Sequence, residues 1–272
     1  MAAEQKELKQ EELVKALQKV GLAAGDSVIV HSAYRRLRPV EGGPATVIRA
    51  LLEVLGPHGN LALPTFNYSI EPPATCFDPA RTPGLTGIIP EIGRAWPGAI
   101  RSIHPTHSVA VLGPQAEELT RDHGRFRSVG IGSPLDRLAK REGKVLLIGV
   151  GHVSNSMVHI GEEYAGVPKA PWAIGLPVYQ VRLPDGRLVP YQSDTSSSCS
   201  TAFGAVEFAL RSKGQIRDLR LGVAKFQLMR AQDVIDNVVE MVKQKPDILL
   251  CTNPGCVPCT GARKNLGRKD ET

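Results

Sequence analysis

Apolar and polar positions follow two different periods along this chain, and the changes of period mark its elements. Leu8, Leu13, Ala16, Leu17 and Val20 recur at helical spacing ahead of Gly21, which predicts an amphipathic helix closed by a glycine. Ser27 to Val30 is a short apolar run that reads as a buried strand ending at His31 and opening the polar loop HSAYRRLRPVEGG. Pro44 starts a second helix that runs to Gly56 through Val47, Ile48, Leu51, Leu52 and Leu55. Asn60 to Leu63 is another short strand. Residues 64–105 are rich in Pro and Gly, with one predicted helix near Ile88 to Ala95; loops of that length are commonly functional. Ser108 to Leu112 reads as a strand, and Ser133-Pro134 as an N-cap and first turn. Lys144 to Val150 is the clearest buried strand, and its loop GHVSN leads into a helix beginning near Asn155. Residues 177–191 pattern as a hairpin turning at Asp185-Gly186. The remainder reads as largely helical to Lys245. This alternation predicts an α/β layered fold. With no internal repeat and no linker, residues 1–272 read as one domain that ends in a Cys-rich segment, 246–263.

Composition narrows the class. The chain has 272 residues, 42% of them hydrophobic and 22% charged, and no apolar run approaches the roughly 20 residues that span a bilayer. A charged, helix-patterned N-terminus is not a secretory signal, so a cytoplasmic protein is expected. The net charge of +6 fits surface charge as well as an anionic ligand. The Arg-rich places (Arg35, Arg36 and Arg38; Arg121, Arg125 and Arg127) are short and not interleaved with aromatics, which argues against nucleic acid.

The loops that follow strands are where α/β proteins bind ligands. Here they hold His31-Ser32, His104 to Ser108, and Gly151 to His159. Gly130 and Gly132 lack the third glycine of a dinucleotide fingerprint, which excludes a nicotinamide enzyme. His159 and Glu162 stand at i, i+3 on one helix face, where a carboxylate can orient an imidazole and raise its basicity for general-base work. The same spacing also suits a solvated surface pair.

Four segments, HSAYRRLRPVEGGPATVIRALLEVLGPHGNLALPTF, FDPARTPGLTG, IRSIHPTHSVAVLGP and GSPLDRLAKREGKVLLIGVGHVSNSMVHIGEE, keep the order and spacing of a known family. Through them the chain resembles the aminoglycoside 3-N-acetyltransferases, and most of all their apramycin- and gentamicin-acetylating branch. The resemblance covers residues 8–168 and is weaker beyond. It implies a central mixed sheet flanked by helices that is not the GNAT fold. It also implies acetyl-CoA as co-substrate and direct attack by the 3-amino group of an aminoglycoside, which confers resistance. The family's His-x-x-Glu falls on His159 and Glu162, as base and orienting carboxylate; a Thr common two residues before that His is Met157 here, with Ser156 beside it. The family's CoA site carries over to His31, Ser32, Ser108, Gly132 and Ser133, with Arg35 and Arg36 for the phosphates. A polycationic acceptor calls for carboxylates, for which Asp78, Glu162, Glu163 and Asp194 are the candidates.

Cys251, Cys256 and Cys259 crowd the C-terminus of a chain with five cysteines, at a spacing that supplies three ligands to a structural zinc. Cys199 is the expected fourth, on its place before a helix and on the resembling branch; His123 is the alternative. Two other classes stay in view beside acetylation of some other amine metabolite. One is a metal-dependent hydrolase using His31, His104, His107 and His159, which lack H-x-H or H-E-x-x-H spacing. The other is a non-enzymatic binding protein. The oligomeric state is not legible.

Overall fold

The computed structural model describes residues 7–37, 39–71, 76–125, 128–168, 178–192 and 199–267. Its elements are α1 (Gln10–Val20), β1 (Ser27–Ser32), α2 (Pro44–Leu55), β2 (Asn60–Pro64), β3 (Cys76–Phe77), α3 (Ile88–Arg94), β4 (Ile100–Arg101), β5 (Val109–Leu112), α4 (Ala116–Thr120) and α5 (Pro134–Ala139). They continue with β6 (Lys144–Ile148), α6 (Met157–Tyr164), β7 (Val178–Arg182), β8 (Leu188–Gln192), α7 (Gly204–Ser212), β9 (Arg217–Leu221), β10 (Ala224–Arg230), α8 (Ala231–Gln244) and α9 (Val257–Gly267).

A seven-stranded mixed sheet in the order β4-β5-β2-β1-β6-β10-β9 forms the centre. β1 pairs in parallel with β2 and β6, while β5 and β10 run antiparallel to their neighbours. Strands covered on both faces read as continuous apolar runs, and that is how β1 and β6 appear in the sequence. Successive side chains part to opposite faces. Ile29, Val145 and Leu147 join the core under α5, α6, α7 and α8. Val28, Val30, Leu146 and Ile148 join the core under α1 and α2. β3, β7 and β8 make a separate three-stranded sheet that buries Phe77, Tyr179 and Val181.

Caps match the punctuation in the chain. Gly21 ends α1 in the left-handed region, with φ at 106°, which costs a residue without Cβ little. Pro44 and Pro134 stand in the first turns of α2 and α5. Gly186 turns the β7–β8 hairpin at φ 85°.

One expectation fails in the C-terminal third. The stretch between α7 and α8 is the β9–β10 hairpin and not helix. Leu219 and Leu221 alternate with exposed Asp218 and Arg220, and after the turn at Gly222, at φ 60°, β10 brings Phe226 and Leu228 to the same core. Pairing β10 with β6 along Phe226↔Ile148 to Arg230↔Lys144 then outweighs any helical propensity. The segment after Pro246 is ordered. It forms α9, with Cys251, Cys259 and Ala262 buried beside Leu250. Among the described residues no helix is long and apolar enough to cross a membrane.

Candidate active site

The carboxyl ends of β1, β2 and β6 lie along one sheet edge, and a cavity of about 550 Å³ opens there. β1 supplies His31 and Ser32, β2 supplies Pro64, and the loops beyond supply Phe66, Tyr68, Thr106 and His107. The turn after β6 adds Val150 and Ser154 to Ser156, and α6 adds His159. Ser200, Phe203 and Tyr179 complete the wall.

His159 and Glu162 are brought together as their spacing predicts. Nδ1 of His159 lies 2.7 Å from Oε2 of Glu162, with side-chain exposures of 15% and 7%. That burial replaces a solvated pair by a fixed one. With Nδ1–H donating to the carboxylate, Nε2 keeps its lone pair on the cavity side. Phe203 meets the ring edge-on at 4.6 Å and 67°, which fixes its tilt. Asn155 Oδ1 accepts the Met157 backbone N–H at 3.1 Å and so anchors the start of α6. Met157 is fully buried in the core, and Ser156 is the residue that reaches the wall.

His31 is 5% exposed, and burial, with nearby His152, pushes its pKa down to about 3; it stays neutral. Its Nε2 and the hydroxyl of Ser32 are buried without a hydrogen-bond partner. Buried polar atoms of this kind on a cavity wall are ligand contacts in waiting. Burial also holds His152 near a pKa of about 4. His104 is held well below the usual histidine range by burial and by its neighbours His123 and His107.

The other carried-over residues fall elsewhere. Arg35 and Arg36 are exposed on a short turn after β1, and Arg36 lies against Gly149 at the end of β6. Ser108 is fully buried, off the wall, where its hydroxyl donates to the Thr65 carbonyl at 3.0 Å and accepts from Arg101 Nε at 2.9 Å. Ser133 caps α5, and the Gly132 N–H donates to Asp136 Oδ2 at 2.8 Å. These three are engaged by their own neighbours. Asp78 accepts the Ala80 N–H at 2.9 Å and pairs with Arg182 at 3.4 Å, and neither it nor Glu163 lines the cavity. Asp194 lies outside the described residues.

Arg101, which the sequence reading passes over, holds the loop that carries Phe66 and Tyr68. It is 8% exposed and donates to the carbonyls of Thr65 (2.9 Å), Pro79 (3.2 Å) and Thr82, with Phe77 under its guanidinium at 5.1 Å. The sulfurs of Cys199, Cys251, Cys256 and Cys259 all lie within 4.8 Å of one another. His123 is not in that group; its Nδ1 is 2.8 Å from Ser102 Oγ.

Comparison with known proteins agrees with this architecture. Residues 29–243 match the family described as aminoglycoside 3-N-acetyltransferase. The chain is 32% identical over 248 residues to aminoglycoside N(3)-acetyltransferase IV of Salmonella sp, covering 90% of this chain and 92% of that protein. Its fold matches the crystal structure of aminoglycoside acetyltransferase AAC(3)-IVa, a histidine-to-alanine mutant in complex with a gentamicin. The TM-score is 0.84 at 31% identity, over 96% of this chain and 99% of that one. It also matches AAC-IIIb in binary complex with CoASH, with a TM-score of 0.76 at 26% identity over 88% and 98% of the two chains. Neither enzyme has the GNAT fold. By sequence over most of its length, and by fold over nearly all of it, the chain belongs to the aminoglycoside 3-N-acetyltransferase family.

Proposed function

We propose that this protein transfers an acetyl group from acetyl-CoA to the 3-amino group of an aminoglycoside, with His159 as general base and Glu162 as its orienting partner. The observation that carries the reading is the 2.7 Å His159–Glu162 contact on the wall of the cavity. An ammonium has no lone pair, so Nε2 of His159 first takes a proton from the acceptor nitrogen. The freed amine adds to the thioester carbonyl; the tetrahedral adduct loses its second nitrogen proton to solvent and collapses to amide as the C–S bond breaks, and the imidazolium gives its proton to the departing CoA sulfur. Glu162 stabilises the imidazolium between these steps. His31 Nε2 and Ser32 Oγ, the unpartnered atoms of the wall, suit the polar atoms of acetyl-CoA, and Arg35 and Arg36 suit its phosphates. The named relatives support this reading, one as an N(3)-acetyltransferase and another bound to CoASH. Such an activity confers aminoglycoside resistance and draws on cytoplasmic acetyl-CoA, which is where we place the protein. Release of free thiol from acetyl-CoA, measured against a panel of aminoglycosides, tests the assignment; no thiol release with any of them overturns it.

The finer reading includes a structural zinc on Cys199, Cys251, Cys256 and Cys259. Tetrahedral Zn–S bonds of about 2.3 Å place sulfurs roughly 3.8 Å apart, so a cluster already within 4.8 Å needs only a small contraction. Four thiol donors fit zinc, leave no open position and assign it no step in catalysis. Elemental analysis of untagged protein is expected to give about one zinc per chain, falling in Cys256→Ser. Metal-free protein with an ordered α9 removes the zinc and leaves the acetyltransferase reading intact.

A further inference from the structure

Tyr68 is 64% exposed at the cavity, yet its ring is held in place. His107 meets it edge-on at 5.3 Å and 72°, and Phe66 at 6.4 Å and 67°. Phe66 and His107 are themselves 4.9 Å apart, so the three rings form one block. The backbone behind them is fixed as well. Asn67 N–H donates to the Thr106 carbonyl at 2.9 Å, its Nδ2 donates to the Pro83 carbonyl at 2.8 Å, and its Oδ1 accepts from Ser69 N–H at 2.7 Å.

An aromatic ring with a set orientation, open to solvent at a cavity, is a surface prepared for a ligand. The C–H face of an amino-sugar or aminocyclitol ring packs on such a ring, and an ammonium substituent adds a cation–π attraction. Topology separates this block from the charges that suit CoA. Tyr68 and His107 stand on the β2–β5 side of the cavity, whereas the Arg35-Arg36 turn abuts Gly149 on the β1–β6 side.

We propose that Tyr68, backed by His107 and Phe66, is the stacking platform that takes the acceptor's amino-sugar ring. This rests on the acetyltransferase reading and adds to it a residue that determines acceptor affinity. The platform contributes binding to a ring that does not react, so it acts on the acceptor and not on acetyl-CoA.

The test compares wild type with Tyr68→Ala and Tyr68→Phe, both changes at an exposed side chain. In steady-state assays Tyr68→Ala is expected to raise the KM for an aminoglycoside about tenfold, with kcat and the KM for acetyl-CoA within about twofold. Tyr68→Phe keeps the ring and is expected to stay near wild type. Calorimetric titration with the same aminoglycoside reads the same contrast as Kd without turnover, so a failure of the acetyltransferase reading is seen separately. An unchanged acceptor KM and Kd in Tyr68→Ala overturns the platform. So does a loss confined to acetyl-CoA, which assigns the rings to the nucleotide, or an equal loss in Tyr68→Phe, which assigns the effect to the hydroxyl.

Discussion

Burial of both partners separates His159 and Glu162 from a solvated helix pair, because a fixed imidazole with one nitrogen engaged presents the other to substrate. His159→Ala is therefore expected to lower kcat by roughly 10²-fold or more while leaving acetyl-CoA binding nearly intact. Glu162→Gln is expected to cost less, since the amide still contacts the ring but no longer stabilises its charged form. Stopped assays at saturating acetyl-CoA check both, and wild-type turnover in His159→Ala removes that residue from the reaction. This pair was legible because i, i+3 spacing puts two residues on one face whatever surrounds them. Tyr68, Phe203 and Arg101 were not, because their meaning lies in contacts across the sheet edge that no local pattern encodes. Ser108 and Ser133 show the converse: a hydroxyl in a recognised motif can be consumed by its own neighbours.

Helix α6 carries the base, and its seat against α8 is set by a missing side chain. A Cβ on Gly161 would lie 2.5 Å from Cβ of Val238. Gly161→Ala is expected to destabilise by about 1–3 kcal/mol through overpacking, lowering the thermal midpoint by several degrees, and to reduce kcat because His159 rides on the displaced helix. Adding Val238→Ala removes the two methyls that the new Cβ would also crowd, at 2.7 and 3.1 Å, and should leave the double variant less impaired than the two single losses added together, which calorimetry and rate assays can follow. At this scale β1, β2, β6 and α1, α2 were readable from period and caps. The β9–β10 hairpin was not, because Ala224 to Met229 is buried on both faces over most of its length and hides the two-residue period. Its pairing to β6 is a long-range choice that short windows do not contain.

Across the whole molecule, three buried histidines link stability to pH. His31, near pKa 3, His152, near 4, and His104, also depressed, stay neutral when folded, whereas the unfolded chain protonates them near pH 6.5. Their folded pKa values are lowered, so the stability they permit is complete above about 6.5. It is lost as the pH falls toward the folded values. At pH 5.5 His31 and His152 each cost about 1.4 kcal/mol, His104 acts in the same direction, and the thermal midpoint is expected to fall by roughly 5–10 °C relative to pH 7.5. His152→Asn should make that decline shallower. A midpoint that stays flat from pH 7.5 to 5.5 would contradict the burial of these rings as neutral groups.

The Arg101 anchorage has a consequence for how this protein changes over generations. Of the partners that hold the loop beyond β2, the carbonyls of Thr65, Pro79 and Thr82 belong to the main chain. Those bonds are indifferent to the side chains of Pro79 and Thr82, whereas Thr65 is also held through its Oγ1, 3.1 Å from Arg101 Nε. Tyr68, whose side chain makes none of the hydrogen bonds that hold the loop, is thus free to vary in identity while the path of the chain past the cavity is kept, whereas Thr65 and Asn67 are not. Mutational drift there alters which acceptors are welcomed before it alters whether the enzyme folds. A lineage carrying this anchor can move across a family of antibiotics by single substitutions, each tried on a wall that is already standing.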